Sequence, residues 1–290
     1  MSESPVKQWK TERIAAINKY LESEKRKDFI DDAYIESLIS AESKPDQARV
    51  NDILAKTGEL KGLSAEDTAY LLNLNDPETW ARIFEKARFI KNEVYGNRIV
   101  LFVPVYMSSA CVNNCKYCGF RSSNSGMGRK VLSEPEIRAE IKALTHSGHK
   151  RILAVFGEDG SSGADYIAGA MRAVYAEKNG PDEIRRVNVN AAPMFVNEYK
   201  KIKDAGIGTF QVFQETYHKE TYKRLHGSAH IKSIYYWRLF ALHRAQEAGI
   251  SDIAIGALFG LYKWRFEVIS LILHSLDMER EFGVGTHTIS

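Results

Sequence analysis

The sequence is poor in cysteine. It has three in 290 residues, and all three lie between positions 111 and 118. An odd number of closely spaced cysteines argues against a disulfide framework and indicates a reducing compartment, for which the cytoplasm is the default. The polar first ten residues do not have the apolar core of a secretory signal. We therefore expect a cytoplasmic protein whose cysteines do not form disulfides.

Long hydrophobic runs are absent as well. The longest apolar stretch, residues 253–262, is far shorter than the roughly 20 residues that a membrane-spanning helix requires. Forty basic and 37 acidic residues are interleaved along the chain, so there is no stripe of positive charge of the kind that binds nucleic acid. We therefore expect neither a membrane nor a nucleic acid as a partner.

The first part of the chain shows only helical periodicity. Apolar residues recur three or four positions apart at Ile14, Ile17 and Leu21, and Pro77 is placed where a helix would begin. No strand pattern competes with these signals. We expect residues 1–95 to form an all-helical extension that covers the bottom or an edge of the following domain.

From residue 96 onward, short β-rich runs alternate with amphipathic stretches. This α/β alternation predicts repeated βα units with a parallel sheet. Six strands with right-handed crossovers predict a (β/α), TIM-like barrel over residues 96–290 that is partial or truncated. A doubly wound sheet is the alternative, but no glycine-rich dinucleotide fingerprint follows the first strand. The predicted strands are residues 99–106, 151–156, 186–191, 208–213, 252–259 and 287–290, and the predicted helices are 134–147, 164–178, 196–205 and 234–248.

In such folds the functional groups lie in the loops at the carboxyl ends of the strands. The first strand leads into the cysteines, the second into Gly157 and Glu158, and the fourth into Glu215. An acid after Gly157 is also what the first turn of a helix favours, so its role stays open on this ground. A carboxylate among polar side chains directly after an apolar strand, as at Glu215, is typical of ligand binding.

The cysteines are spaced as Cys-x-x-x-Cys-x-x-Cys. Three thiolates can hold three irons of a four-iron, four-sulfur cubane and leave the fourth iron open for another ligand. A structural zinc site is the alternative, but it normally has four protein ligands and would need a histidine from elsewhere. The cysteines are Cys111, Cys115 and Cys118, and the histidines considered are His218, His226 and His230.

This spacing, with Tyr117 directly before the third cysteine, resembles the signature of radical S-adenosylmethionine enzymes. The resemblance implies that S-adenosylmethionine chelates the open iron of a four-iron, four-sulfur cluster and is cleaved to methionine and a 5'-deoxyadenosyl radical. It also implies cofactor-binding residues. These are Tyr117 beside the adenine, Phe120 as a further contact, Gly157 and Glu158 at the methionine amine, Glu215 near the ribose, and Arg238 at the methionine carboxylate.

Four longer segments, residues 95–102, 111–115, 213–218 and 282–290, are similar to the tyrosine lyase that matures FeFe-hydrogenase. The 2-iminoacetate synthase of thiamine biosynthesis is a related family that shares the Gln-Glu-Thr-Tyr element. Both resemblances imply that the radical abstracts hydrogen from the amino group of L-tyrosine, so that the Cα–Cβ bond breaks and p-cresol and dehydroglycine form. Tyr106 and Ser290 are then expected as catalytic residues.

The resemblance also implies an electron donor such as ferredoxin or flavodoxin, and other hydrogenase maturases as partners. This sequence departs from it at three points. No cysteine follows Cys118 to hold a second cluster, and the arginine expected just beyond Ser290 is absent. Lys263 stands where the related proteins usually have an acid, and Glu267 supplies a carboxylate nearby. Cyanide release is therefore not expected. The alternatives are the thiamine-pathway enzyme and a cluster-binding fragment without lyase activity.

Overall fold

The computed structural model describes residues 4–41 and 45–290. Its first part is helical, as predicted. Asp76 shows how such a helix begins, because its carboxylate accepts a hydrogen bond from the backbone of Thr79 at 3.0 Å and the next residue is Pro77, which has no N–H to satisfy. The helices before the sheet are α1 (Pro5–Ser23), α2 (Asp32–Ser40), α3 (Gln47–Gly58), α4 (Ala65–Asn73) and α5 (Pro77–Tyr95).

The second part contains one parallel sheet of six strands and a separate antiparallel hairpin. The strands are β1 (Val103–Ser108), β2 (Arg151–Phe156), β3 (Lys178–Asn179), β4 (Asp182–Glu183), β5 (Arg186–Asn190), β6 (Phe210–Gln211), β7 (Ile253–Ile255) and β8 (Thr288–Ile289). The hairpin is β3 with β4, and the sheet has the order β1-β2-β5-β6-β7-β8. This is the predicted partial (β/α) barrel, an open sheet with β1 and β8 as its edges.

The sequence-based boundaries differ most at β1. The strand was predicted from residue 99, but residues 99–102 have no strand structure and β1 begins at Val103, where pairing with Ile152 begins. Ile99 and Leu101 are 80% and 78% exposed. The prediction for these four residues is wrong because an apolar β-rich run forms a strand only where a neighbouring strand supplies the hydrogen bonds.

The two faces of the sheet have different chemistry. Side chains such as Met107, Ala154 and Val189 are buried on the outer face against the helices. Residues paired in register share a face, so the inner face can be followed from strand to strand. One row on it comprises Tyr106, Val155, Asn190, Gln211, Ala254 and Thr288. This inner surface therefore combines aromatic, amide and hydroxyl groups.

In the described ranges, seven α-helices accompany the strands. They are α6 (Glu134–His146), α7 (Ala164–Ala176), α8 (Val196–Asp204), α9 (Lys219–His226), α10 (Tyr235–Leu239), α11 (Ala241–Glu247) and α12 (Trp264–Phe282). The helix predicted over 234–248 is two helices that meet at Phe240, while α9 and α12 were not predicted. Buried polar residues on α12, such as Glu267 and His274, interrupt the apolar pattern by which a helix is recognised.

The N-terminal helices pack in different places. Ile35 of α2 and Ala69 of α4 belong to the same hydrophobic core as the sheet. By contrast, α1 packs Ile17 against Val112, which lies among the cysteines in the loop after β1, at the carboxyl ends of the strands. That position differs from the expected bottom or edge. The division of the chain at residue 95 stays a prediction. No helix in the described ranges has the length and apolar character needed to cross a membrane.

Candidate cofactor site

The cysteine loop, residues 109–133, connects β1 to α6. Cys115 is buried, Cys111 and Cys118 are partly exposed, and all three are free thiols. The loop is fixed by backbone hydrogen bonds, from Cys118 to the carbonyl of Cys115 at 3.1 Å and from Lys116 to the carbonyl of Leu225 in α9 at 3.1 Å. Three thiols are thus presented from one short, anchored segment.

Gly157 brings the end of β2 directly against this loop. A Cβ atom at this position would lie 2.1 Å from the carbonyl oxygen of Ala110 and 3.4 Å from Cβ of Cys111. No side chain can be accommodated at the first of these distances without movement of the backbone. The next peptide reinforces the contact, because the Val112 N–H donates to the Glu158 carbonyl at 2.8 Å. Residue 157 must therefore be a glycine, because its backbone lies directly against the backbone of the cysteine loop.

Asn113 connects three parts of the site, and sequence reasoning gave it no role. Its Nδ2 donates to Glu158 Oε2 at 2.5 Å and lies 3.7 Å from Cys111 Sγ, while its Oδ1 accepts from the backbone N–H of Lys232 at 2.9 Å. Glu158 is buried, and this burial raises the pKa of its carboxyl group, whereas the bond from Asn113 opposes the rise. Asparagine is common in loops, so nothing in the sequence distinguished this one.

Glu215 is held in an unusual conformation between two cations. Its φ is +73°, in the left-handed region that non-glycine residues rarely adopt. Its Oε1 accepts a hydrogen bond from Lys232 Nζ at 2.7 Å and lies 3.5 Å from Arg238 Nη2. Burial alone would raise the pKa of this carboxyl group, but Lys232 and Arg238 outweigh burial and lower it. Glu215 is therefore a carboxylate within a cluster of net positive charge.

The sequence predicted one of these two cations as a site residue and missed the other. Arg238 was predicted as a cofactor ligand, and it is buried with its Nε donating to the Phe213 carbonyl at 2.6 Å. That bond directs the guanidinium toward Glu215. Lys232 was missed, since it lies in a single turn of 3-10 helix, Ile231–Ser233, between α9 and α10. Its ammonium lies 5.5 Å from the centroid of the Tyr117 ring.

Tyr117 is anchored by a buried histidine. Its hydroxyl lies 2.7 Å from Nε2 of His226, whose Nδ1 lies 2.8 Å from the carbonyl oxygen of Tyr222. Burial lowers the pKa of His226 to about 3, with Lys232 as a further cause, so the ring is neutral. Nδ1 then carries the proton and Nε2 accepts from Tyr117. Both nitrogens are in use, which removes His226 as a zinc ligand in this arrangement.

The remaining predicted residues lie at the two edges of the sheet. Tyr106 is 54% exposed, and its ring contacts Phe120 edge to face with centroids 5.5 Å apart. Ser290 lies at the end of β8, where its carbonyl accepts from the Ala257 N–H at 3.0 Å. Ala257 is also the bridge partner of Glu215, so the backbone of Ser290 is one strand from the charged cluster. Tyr106 and Phe120 lie on the opposite edge strand and its loop.

Lys263 and Glu267 have different partners in the structure. Lys263 Nζ forms an ion pair with Glu36 of α2 at 2.8 Å. Glu267 is fully buried and contacts the loop after β6. The lysine therefore connects the barrel to the N-terminal helices, while the acid belongs to the site.

The donor set suits an iron-sulfur cluster. Burial raises the pKa of the Cys111 and Cys115 thiols, and Lys232 and Arg238 oppose the rise at Cys115. Cations beside the loop offset part of the negative charge that a thiolate-bound cluster carries. Gly157 has no side chain that would occupy the space beside the cysteine loop. These features fit a group held by three thiolates.

The family model for the Radical SAM superfamily matches residues 105–269, which is more than half of the chain and includes all three cysteines. The chain belongs to the radical SAM superfamily. This superfamily uses a four-iron, four-sulfur cluster and S-adenosylmethionine, and the three cysteines lie in the expected motif region.

Individual relatives agree with this assignment. The 2-iminoacetate synthase of Escherichia coli is 30% identical over 230 residues, which are 79% of this chain and 59% of the relative. A crystal structure of HydG, a maturase of FeFe-hydrogenase, is 43% identical with a TM-score of 0.86 over 91% of this chain and 58% of that one. HydG from Carboxydothermus hydrogenoformans is 38% identical with a TM-score of 0.80, over 89% and 59%. The chain thus spans less than two thirds of the length of each relative.

Proposed function

We propose that this chain carries the cofactor-binding part of a radical S-adenosylmethionine lyase that cleaves the Cα–Cβ bond of L-tyrosine to p-cresol and dehydroglycine (2-iminoacetate) in the maturation of FeFe-hydrogenase. One observation supports the proposal above all. The loop that carries three free thiols lies against Gly157 and Glu158, and the chain is 43% identical in sequence to HydG with 91% of it covered.

In this proposal Cys111, Cys115 and Cys118 hold the cluster through their thiolates. When bound, the cluster and S-adenosylmethionine supply the 5'-deoxyadenosyl radical. Glu158 binds the methionine ammonium, because burial raises the pKa of its carboxyl group and a cation beside it would stabilise the charged form. Asn113 keeps that carboxylate aimed across the cysteine loop through the 2.5 Å hydrogen bond.

The cluster of Glu215, Lys232 and Arg238 binds the rest of the cofactor. In the described part of the structure both cations contact Oε1 of Glu215, so Oε2 is available to a ribose hydroxyl. The excess positive charge of the cluster suits the methionine carboxylate, for which Arg238 is the proposed partner. Tyr117 and Phe120 supply the aromatic surface beside the adenine.

The substrate occupies the inner face of the sheet. We assign Tyr106 and Ser290 to contacts with L-tyrosine, because they flank the inner face from its two edges. Asn190 and Gln211 lie on the same row and offer amide groups to the polar end of an amino acid. Ferredoxin or flavodoxin would reduce the cluster, and other hydrogenase maturases would receive the product.

The proposal is tested by anaerobic reconstitution with iron and sulfide, reduction, and addition of S-adenosylmethionine with and without L-tyrosine. We expect 5'-deoxyadenosine and p-cresol to form together, and no cyanide, because no cysteine after Cys118 can hold a second cluster. The control is Cys115→Ala, which should lose cluster iron and both products. Deoxyadenosine that forms without p-cresol at saturating tyrosine would contradict the lyase assignment and favour a cluster-binding fragment.

A second candidate is the 2-iminoacetate synthase of thiamine biosynthesis. The 30% identity over 79% of this chain to that enzyme favours it, and it requires no second cluster. Both candidates make the same products, so the assay above does not separate them. Growth of a thiamine-requiring strain that lacks its own synthase would identify the second function, whereas restored hydrogenase activity in a maturation-deficient strain would identify the first.

A further inference from the structure

Glu267 of α12 is a fully buried carboxylate that contacts the loop after β6. Its Oε1 accepts a hydrogen bond from Thr216 Oγ1 at 2.5 Å, and its Oε2 accepts one from the Tyr217 N–H at 2.9 Å. Thr216 and Tyr217 directly follow Glu215. One side chain on a long helix thus holds the two residues next to the charged cluster.

The backbone at Glu215 needs such support. A non-glycine residue at φ +73° costs of order 1 kcal/mol or more, and it persists only where its surroundings fix it. Before Glu215, the Gln214 N–H donates to the Gly256 carbonyl at 3.0 Å, and at Glu215 the carbonyl accepts from the Leu258 N–H at 2.7 Å. After Glu215, the two contacts to Glu267 fix the direction in which the chain leaves.

A carboxylate accepts from both of these donors at once, because it has two acceptor oxygens. Glutamine has the same shape but offers only one acceptor. Its amide nitrogen would have to donate to Thr216 Oγ1, and the proton of that buried hydroxyl would lose its partner. Burial raises the pKa of Glu267 to about 7, the bonds from Thr216 and Tyr217 oppose the rise, and Asp32 adds to it. The acid is thus retained at a position where its charge is unfavourable.

We propose that Glu267 is a positioning residue for S-adenosylmethionine, because it fixes residues 216 and 217 so that the Glu215 carboxylate is held between Lys232 and Arg238 and reaches the ribose. This inference rests on the proposed function, in which Glu215 contacts the ribose. It predicts that replacing Glu267 weakens binding of the nucleoside half of the cofactor. Binding of the methionine half, which contacts the cysteine loop and Glu158, should not change.

The test measures binding to the reconstituted, reduced protein by the change in the electron paramagnetic resonance spectrum of the cluster. We expect Glu267→Gln to weaken S-adenosylmethionine binding by about tenfold, which corresponds to about 1.4 kcal/mol. Competition of 5'-deoxyadenosine and of methionine against S-adenosylmethionine should show which half of the cofactor binds less tightly. We expect the affinity for 5'-deoxyadenosine to fall and the affinity for methionine to stay within about twofold. Iron content and the spectrum without ligand should match the wild type. A merely structural defect would change these as well.

Two further variants keep the test decisive. Ser270→Ala is the matched control, because Ser270 is also buried on α12 but its hydroxyl donates only to the Phe266 carbonyl of the same helix. Thr216→Val removes the partner of Glu267 and is expected to weaken binding without adding to the effect of Glu267→Gln in the double variant. Thr216→Val alone gives the answer if Glu267→Gln does not fold.

Binding of S-adenosylmethionine within twofold of the wild type in both folded variants would overturn the inference while the proposed function stands. Equal losses for 5'-deoxyadenosine and methionine would also overturn it. If the wild type carries its cluster but does not bind S-adenosylmethionine, the proposed function fails first, and the inference fails with it.

Discussion

The two halves of the sheet are held together in different ways. β1, β2 and β5 pair over five residues at each junction, whereas the junctions of β6, β7 and β8 pair only two residues each. The first half carries the cysteine loop and Gly157, and the second carries Glu215. A long hydrogen-bonded ladder positions its loops by itself, but a short one requires side chains for the same purpose.

The second half supplies those side chains from distant parts of the chain. Arg238 donates to the carbonyl of Phe213, and Glu267 accepts from Thr216 and Tyr217. Glu215, between these anchors, has the strained φ of +73°. The comparison indicates that the cysteine loop depends on backbone fit, whereas the Glu215 cluster depends on buried polar contacts.

The largest effect on iron incorporation is expected in the first half of the sheet, where Gly157 lies tightly against the cysteine loop. Gly157→Ala should destabilise the fold by about 1–3 kcal/mol, because its Cβ would overlap the carbonyl oxygen of Ala110, and should sharply reduce iron incorporation. Denaturant unfolding and iron analysis measure the two effects. Gly163→Ala is the matched control, because a Cβ there meets nothing within 4 Å. Equal iron in both variants would show that close approach at residue 157 does not matter.

The second effect concerns the charge balance in the other half. Arg238→Met removes one of the two cations beside Glu215 and leaves Lys232 in place, so the lost contact to a charged group costs about 1.5–3 kcal/mol. We expect a corresponding loss of unfolding free energy, and a double variant with Glu215→Gln that is less destabilised than the sum of the two single variants. Single effects that simply add in the double variant would contradict the role assigned to the pair.

A smaller effect is expected at Asn113. Asn113→Ala leaves the buried Glu158 carboxylate without its hydrogen bond, which costs about 1–3 kcal/mol. The pKa of Glu158 should rise further, since the bond from Asn113 now opposes the effect of burial. Carboxyl titration by infrared spectroscopy would measure it. Asn114→Ala is the control, because Asn114 contacts Ser123 instead, and it should leave the titration unchanged.

The pH dependence of stability should reveal Glu267. Its pKa is raised to about 7 from 4.5, so the native state keeps its proton up to a higher pH than the unfolded state does. This group therefore lowers stability progressively as pH rises from about 4.5 to 7, with no further change above that range. Glu267→Gln should flatten the corresponding slope in denaturant unfolding. A slope that persists in the variant would assign it to another group.

The smallest effect on the site is expected at the open edge. Ile99 and Leu101 are exposed apolar residues beside β1, and such a patch favours association. The double substitution Ile99→Lys and Leu101→Lys should reduce aggregation in light scattering and leave iron incorporation unchanged. Val6→Lys, at another exposed apolar residue, is the control and should change aggregation less. Loss of iron in the double variant would mean that this edge supports the cysteine loop.

The sequence predicted β2 and β5 better than the strands of the second half for a physical reason. β2 is a continuous apolar run and β5 alternates between valine and polar residues, and their predicted bounds agree with the structure to within one residue. In the other half, the apolar run over 208–213 continues through irregular backbone, and β6 is Phe210–Gln211 alone. Periodicity reports which side chains are buried, and it does not report where the ladder hydrogen bonds end.

The same limit applies to the site. The cysteines, Gly157 and Glu215 were recognised because short motifs adjoin the ends of strands. Asn113 and Lys232 were missed, and Glu267 was noted only as a carboxylate near Lys263, because their importance comes from contacts between distant positions. Glu267 contacts a residue 51 positions earlier in the chain, and no local pattern records such a contact.

The most direct test of the account is the electron paramagnetic resonance spectrum of the reconstituted, reduced protein with and without S-adenosylmethionine. The account predicts a cluster held by three cysteines whose spectrum changes when the ligand binds, because one iron is open to it. A cluster spectrum that is identical with and without saturating S-adenosylmethionine would contradict the claim that this chain contains a complete cofactor site.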